Sequence, residues 1–356
     1  MVGGVVAGIL PLFEILVPQS EIPEMLPWFQ DQFPLYLAPM AGVTDKIFRQ
    51  LCKELGADVM VTEFVSAEGI FRKNERTLEY LDFDPIERPL GVQLFGADPE
   101  HLGEAARMVI EWVKPDFLDL NFGCPVNKVV SRNGGSALLK DCPLLEKVAR
   151  SVVNACAPVP VTAKIRIGWN QQSINATTTA RILEDTGIQA IAVHGRTKEQ
   201  GYSGEANWEV IGQVVQAVRI PVIGNGDITN AHDVAKRRAE TGVAGIMIGR
   251  GAMSAPWIFR QIKHYLASGE LLDDPPMEDQ WALIRRHCAL AVEKRGAERP
   301  AMHSMRARLM AYSRGMPAAK ALRNRFQHVE SLLGLDEIAA EHLASLAVEA
   351  GVAADG

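Results

Sequence analysis

Between Leu35 and about Ala252 the chain repeats one unit, a short β-rich apolar run followed by a stretch with helical spacing. The runs fall at Leu35–Pro39, Val59–Phe64, Leu90–Phe95, Phe117–Asn121, Val161–Ile167, Ala190–His194, Pro221–Gly224 and Ala244–Ile248. Helical character fills the intervals at Asp45–Leu55, Pro99–Val113, Pro143–Ala157, Ala176–Thr186, Trp208–Ala217 and Ala231–Thr241. In the first of these, Ile47, Phe48, Leu51 and Leu55 share one face, as a helix packed on a sheet requires. The interval Ala67–Asp84 is polar and reads as a helix plus a loop. Eight strands with intervening helices over about 220 residues predict an α/β fold, a (β/α)8 TIM barrel. An open doubly wound sheet is the alternative, but no G-x-G-x-x-G follows the first strand to favour it.

A chain of 356 residues leaves room for a second, smaller domain beside such a barrel. Hydrophobic residues at 47% and charged residues at 22% are ordinary for a soluble globular protein. The net charge of -6 gives no global sign of a nucleic-acid partner, although an average can hide a local patch. Five cysteines, without tight pairing or metal-type spacing, argue against a disulfide framework and a zinc site, so no metal is expected. A reducing, cytoplasmic compartment follows. Residues 2–17 are apolar, yet no Lys or Arg precedes Lys46, and Pro11 and Glu14 interrupt the run. The run is also shorter than the roughly 20 residues of a spanning helix. Residues 1–33 are therefore expected to be a leader outside the fold, with no membrane role.

A barrel of this kind collects its functional groups at the C-terminal ends of its strands. The first strand runs into Pro39-Met40-Ala41-Gly42, the third carries Gln93, and the fourth ends in Asn121 and Cys124. The fifth carries Lys164 and Arg166, the sixth ends in His194-Gly195-Arg196, the seventh in Asn225-Gly226-Asp227, and the eighth in Gly249-Arg250-Gly251. Singly, each has an ordinary explanation: a thiol buried at a strand end, a lysine in an ion pair, a satisfied core histidine. Polar ends on nearly every strand do not, because unpaired buried polar groups are costly. Gly226 and Gly249-Arg250-Gly251 let backbone approach a ligand, and Arg250 adds a charge with phosphate-matching geometry. A phosphorylated ligand extending over the mouth fits, with Met40, Ala41 and Gln93 against a planar ring and Lys164 and His194 near it. Flavin mononucleotide meets that description, as other phosphorylated ligands would.

The ordered motifs resemble those of the bacterial tRNA-dihydrouridine synthases, most closely the B-type branch. They are Leu37-Ala38-Pro39-Met40-Ala41-Gly42-Val43-Thr44-Asp45, Gly91-Val92-Gln93-Leu94-Phe95-Gly96, Asp119-Leu120-Asn121-Phe122-Gly123-Cys124-Pro125, Lys164-Ile165-Arg166-Ile167-Gly168-Trp169, Val193-His194-Gly195-Arg196-Thr197, Gly224-Asn225-Gly226-Asp227-Ile228 and Gly249-Arg250-Gly251-Ala252. The resemblance covers residues 34–335 and implies an enzyme that reduces the 5,6 double bond of particular tRNA uridines. It implies FMN as cofactor and NADPH as electron donor, hydride transfer to uracil C6, and Cys124 as the acid that protonates C5. It further implies that Pro39, Met40, Ala41, Gln93, Lys164, His194, Asn225, Gly226, Asp227, Gly249 and Arg250 hold FMN. Asn121 and Arg166 would contact the uracil, with His194 a further candidate for that contact. A thiol suits the acid's role because its ordinary pKa of about 8.5 leaves it protonated at neutral pH.

After the linker Asp273-Asp274-Pro275-Pro276, residues 285–325 hold eleven Lys and Arg against two acids, a net +9 in 41 residues. Such segregation is the footprint of phosphate binding. Together with the resemblance to that family's small helical tRNA-binding domain, including the Ser313-Arg314-Gly315 turn, it implies an all-α, tRNA-binding domain over 273–345, with Arg323 and Arg325 among its contacts and 346–356 as a tail, after a catalytic barrel over 34–272. The loop after Cys124 adds Lys128, Arg132 and Lys140 around a glycine turn, Asn133-Gly134-Gly135-Ser136, and reads as a flexible flap able to close over substrate with Cys124. The other four cysteines, Cys52, Cys142, Cys156 and Cys288, are assigned no chemistry. The chain is expected to act as a monomer. Two other readings remain open at this point: an FMN barrel acting on a free pyrimidine, as dihydroorotate dehydrogenases do, and a non-catalytic flavin-containing RNA-binding protein.

Overall fold

The apolar runs form nine short parallel strands in the computed structural model, which describes residues 26–30, 32–73 and 75–354. They are β1 Leu35–Leu37, β2 Met60–Val61, β3 Val65–Ser66, β4 Leu90–Phe95, β5 Phe117–Phe122, β6 Val161–Arg166, β7 Ile191–His194, β8 Val222–Asn225 and β9 Gly245–Ile248. The order is β1-β9-β8-β7-β6-β5-β4-β2, with β3 also on β4. β2 and β3 pair successive parts of β4, Met60 with Leu90 and Val65 with Leu94, and are two halves of one stave. The expected continuous run Val59–Phe64 breaks there because the Thr62 hydroxyl takes the Gln93 N–H, at 3.1 Å, in place of a strand carbonyl. A parallel bridge between Tyr36 and Val59 closes the ring. The result is the (β/α)8 TIM barrel read from the sequence.

Alternate residues on the staves face opposite ways and build two cores. One set, including Leu37, Val92, Leu118, Leu120, Ile165, Val193 and Ile248, packs against the surrounding helices. The other set fills the barrel. Its floor is apolar, with Tyr36, Val61, Phe117, Ala192, Ile223 and Met247. A carbon added at Gly91 would lie 2.2 Å from the Phe117 ring, so the glycine is what admits that ring to the floor. Leu26, which precedes the short 3-10 turn Pro27–Phe29, and Phe29, which ends it, seal the floor from below. Trp28 donates its Nε1–H to the Tyr36 hydroxyl at 2.6 Å and stands 5.0 Å from the Phe117 ring. The leader expected over 1–33 is thereby corrected: its last residues, from Leu26, belong to the barrel core, and the rest lie outside the described residues.

Helices Pro99–Val113, Trp208–Ala217 and Ala231–Thr241 form as read, capped by Asp98, Asn207 and Asn230. Ala67–Arg72 and Glu75–Leu81 are two short helices in the polar interval. The sequence reading assigned no helix between Ala252 and Asp273, where Ile258–Ser268 packs Ile258, Phe259 and Ile262 on the barrel. Beyond the linker, helices Met277–Arg295, Glu298–Tyr312, Ala319–Phe326 and Leu332–Ala354 enclose a separate core around Trp281, Ile284, Met302, Leu309, Phe326 and Ile338. The tail expected from residue 346 is a continuation of the last of these helices. Among the described residues no helix is long and apolar enough to cross a membrane.

Phe117 is 1% exposed at the centre of the floor, so Phe117→Ala should cost about 3–5 kcal/mol of stability in chemical denaturation. A loss below about 1 kcal/mol would mean the floor is not a packed layer.

Candidate active site at the barrel mouth

The inward positions that are apolar at the floor turn polar one step higher, and they are joined in a chain of hydrogen bonds. The Thr162 hydroxyl and the Gln93 Nε2–H each donate to the Asp119 carboxylate at 2.6 Å. Asn121 Nδ2–H donates to Gln93 Oε1 at 2.7 Å, and Asn121 Oδ1 accepts the backbone N–H of Gly123 at 3.1 Å and of Cys124 at 2.8 Å. A carboxylate can only accept, so Asp119 fixes which way the Gln93 amide points, and Gln93 in turn fixes Asn121. Burial raises the Asp119 carboxyl pKa, and the donors Gln93 and Thr162, with Lys164 nearby, oppose that rise. The chain ends at the backbone of Cys124, whose thiol is itself buried. Burial pushes that thiol upward in pKa, against the pull of the Val126 N–H, Arg166 and Lys164.

On the other side of the mouth stand cations. Among the described residues the Lys164 ammonium bonds one group, Asn225 Oδ1 at 3.1 Å, and the Asn225 amide is aimed by donating to the Met247 carbonyl at 2.8 Å. Burial, with the Arg166 charge, lowers Lys164 to about 8. Arg166 donates to the carbonyls of Gly123 (2.9 Å), Thr197 (2.9 Å) and Gly201 (2.8 Å), clamping the Cys124 strand end to the loop after β7. His194 is buried, and none of its ring nitrogens has a hydrogen-bond partner among the described residues. Burial, reinforced by Lys164, Arg166, Arg196 and Arg250, drives its pKa far down, so the ring is neutral. Asp227 accepts from Arg196 at 2.7 Å, from the Ala206 N–H at 2.7 Å and from Arg250 at 2.8 Å, and so orients both guanidinium groups.

Pro39 and Met40 are half-buried and Ala41 exposed at the end of β1. A carbon added at Gly249 would sit 3.4 Å from Met40 Sδ, so the end of β9 packs close to that loop. Gly226 has φ +136° and Asp227 φ 53°, a turn that brings backbone to the rim. All the strand-end residues singled out in the sequence thus share one mouth. Sequence reasoning gave no role to Arg196, Tyr202, Asp119 or Thr162. Tyr202 stacks under the guanidinium groups of Arg250 (5.1 Å) and Arg166 (5.7 Å), yet it lies in an exposed loop without periodicity to mark it.

The loop after Cys124 differs from expectation. Lys128 and Arg132 are exposed, but residues 134–139 are buried, and the Ser136 hydroxyl and N–H both donate to the Cys124 carbonyl, at 2.8 and 3.1 Å. A carbon at Gly135, φ +59°, would meet that carbonyl at 2.9 Å. The glycine turn is a packed clasp on Cys124, not a flexible flap, because close packing here requires the missing side chains.

The basic stretch 285–325 is also altered by the fold. Arg285 pairs with Asp336, Arg286 with Glu54, Lys294 with Glu79, Arg299 and Arg306 with Glu330, Arg308 with Asp45 and Arg325 with Glu341. Arg295, Arg314, Lys320 and Arg323 have no ion pair among the described residues. A cavity of about 530 Å³ opens between the barrel and the helical domain, lined by Gly42, Lys46, Glu63, Lys294, Arg295 and Arg308.

By fold and site the protein is a TIM-barrel enzyme with a cationic, glycine-lined mouth and a buried thiol. The family model for dihydrouridine synthase (Dus) matches residues 36–347, and the chain belongs to that family. It is 44% identical over 255 residues to tRNA-dihydrouridine synthase B of Pseudomonas aeruginosa, covering 72% of this chain and 76% of that one. Over 241 residues it is 45% identical to the same-named protein of Xanthomonas campestris pv. campestris, covering 68% and 72%. A probable tRNA-dihydrouridine synthase of Rickettsia conorii is 39% identical over 313 residues, covering 88% and 94%.

Asp119→Ala leaves the Gln93 amide and the Thr162 hydroxyl without their acceptor. We expect a loss of at least about 2 kcal/mol in stability, since each orphaned buried group costs about 1–3 kcal/mol. A variant as stable as the parent would show that the hydrogen-bond chain does not hold the mouth together.

Proposed function

We propose that this chain is a tRNA-dihydrouridine synthase that uses FMN and NADPH to reduce the 5,6 double bond of uridines in tRNA. The observation that carries the reading is the pairing of a thiol that burial keeps protonated, Cys124, with a mouth where the His194 ring has no hydrogen-bond partner among the described residues. Among the described residues His194 leaves its ring nitrogens unpartnered and Lys164 bonds only the neutral Asn225, and the Gly226 turn, at φ +136°, brings backbone to the rim where a phosphate would bind. These residues fit FMN. Asn225, Gly226, Asp227, Gly249 and Arg250 would receive its phosphate end. Asp227 acts there by aiming Arg196 and Arg250, since its own charge would oppose a phosphate. Pro39, Met40, Ala41, Gln93, Lys164 and His194 would surround the ring.

When bound and reduced by NADPH, FMN would supply the hydride for uracil C6. Cys124 gives the proton that completes C5, and its thiolate recovers a proton from solvent. Burial favours that role, because a thiol held above its ordinary pKa stays protonated at neutral pH. Asn121 holds the Cys124 backbone in place and keeps one amide hydrogen for the uracil. Arg166 braces the same strand end from the other side. The uridine must leave the tRNA stack to reach this depth, so the substrate is an extruded base, with Lys128 and Arg132 on the exposed rim to meet its phosphates. With tRNA as substrate, the location is cytoplasmic.

Cys124→Ala should retain FMN and tRNA and lose about 10²–10⁴-fold in uridine reduction, read by mass spectrometry of nucleosides. Full activity would overturn the assignment of the proton donor. For RNA binding the ion pairs discriminate between neighbours: Arg323→Ala should weaken tRNA binding and reduce its salt slope by about 1, whereas Arg325→Ala, whose side chain already pairs with Glu341, should do less. Equal losses would contradict that distinction.

A further inference from the structure

Arg308 belongs to the basic stretch of the helical domain, yet its side chain is only 11% exposed and reaches into the barrel. Nη1–H donates to the Gly42 carbonyl at 2.6 Å and Nη2–H to the Asp45 carboxylate at 2.5 Å. Asp45 simultaneously caps the helix Lys46–Glu54 by accepting the Phe48 N–H at 3.0 Å. From the opposite side, Glu63 Oε2 accepts the Gly42 N–H at 2.6 Å. Both backbone groups of Gly42, at φ +69°, are thus held by side chains, Glu63 from the barrel and Arg308 from the helical domain. The same turn continues into Met40, whose N–H donates to Thr44 Oγ1 at 2.9 Å and whose sulfur faces Gly249.

We propose that Arg308 is a positioning residue for the cofactor, through which docking of the helical domain sets the Met40–Thr44 turn. This rests on the assignment of Met40 and Ala41 to the FMN site. Charge-assisted bonds in a half-dry interface are strong and directional, and one guanidinium bridging a carbonyl and a helix cap leaves the turn little freedom. A ligand of the helical domain that moves Arg308 therefore changes FMN affinity, and by linkage FMN changes the affinity for that ligand by the same factor. The interface has a built-in comparison. Arg286 also crosses it, pairing with both oxygens of Glu54 at 2.5 and 2.8 Å, but it touches the far end of a helix and not the turn.

The test uses full-length protein and two readouts, the FMN dissociation constant by fluorescence and hydrogen exchange of the amides in residues 40–45. Arg308→Gln should raise the dissociation constant tenfold or more and speed exchange in the turn, while Arg286→Gln changes either by less than twofold. Arg308→Lys, which can reach one acceptor, should give a smaller rise of the same sign and covers the case in which the glutamine variant does not fold. FMN affinity unchanged in a folded Arg308 variant, or an equal loss in Arg286→Gln, would overturn the proposal. Parent protein that binds no FMN, even though exchange in the turn still responds to Arg308→Gln, would instead locate the failure in the cofactor assignment.

Discussion

Closure of the sheet between Tyr36 and Val59 decides where chemistry can occur in this protein. Once every stave is parallel and the ring is shut, all strand C-termini meet at one mouth, and alternate residues are committed to the interior. The interior is then divided by height. The lower layer is apolar and sealed by Leu26, Trp28 and Phe29, while the layer above is a hydrogen-bonded set of amides, hydroxyls and one carboxylate. The floor excludes water from below, which makes the Asp119 chain expensive to break and therefore firm. Cys124 inherits its position from that firmness.

The strand ends were readable because a barrel ties function to sequence position: the residue that finishes a strand finishes at the mouth. Period-two alternation and turn residues therefore sufficed to collect Cys124, Lys164, His194, Asn225 and Arg250 in one place. What the sequence could not display was which side chains face one another. The link from Thr162 through Asp119 and Gln93 to Asn121 crosses three neighbouring staves, β4, β5 and β6, and nothing in local pattern announces it. Residues 134–139 were misjudged for a related reason. Two glycines read locally as freedom, whereas here the absence of side chains lets the segment pack against the Cys124 carbonyl. The N-terminal residues from Leu26 were misjudged because an apolar stretch without periodicity carries no sign of the cavity it fills.

Charge shows the same limit. A window of sequence counts the cations of residues 285–325 but not the acids that folding brings to them from Asp45, Glu54, Glu79, Glu330, Asp336 and Glu341. Several of those acids come from the barrel, so part of the apparent nucleic-acid footprint is mortar between two domains. The cations left unpaired are fewer and more specific. The helical domain thus spends part of its charge on the barrel beside the Met40–Thr44 turn, while Arg314, Lys320 and Arg323 make no ion pair among the described residues.

The central claim is that this mouth reduces uridine in tRNA with a flavin and a thiol. Its most direct test begins with the visible absorption spectrum of the purified protein, followed by incubation with NADPH and unmodified tRNA and mass analysis of the nucleosides. The account predicts a flavin spectrum and uridine heavier by two hydrogens. Well-folded protein without flavin, or flavin-loaded protein that leaves every uridine unreduced, would contradict it.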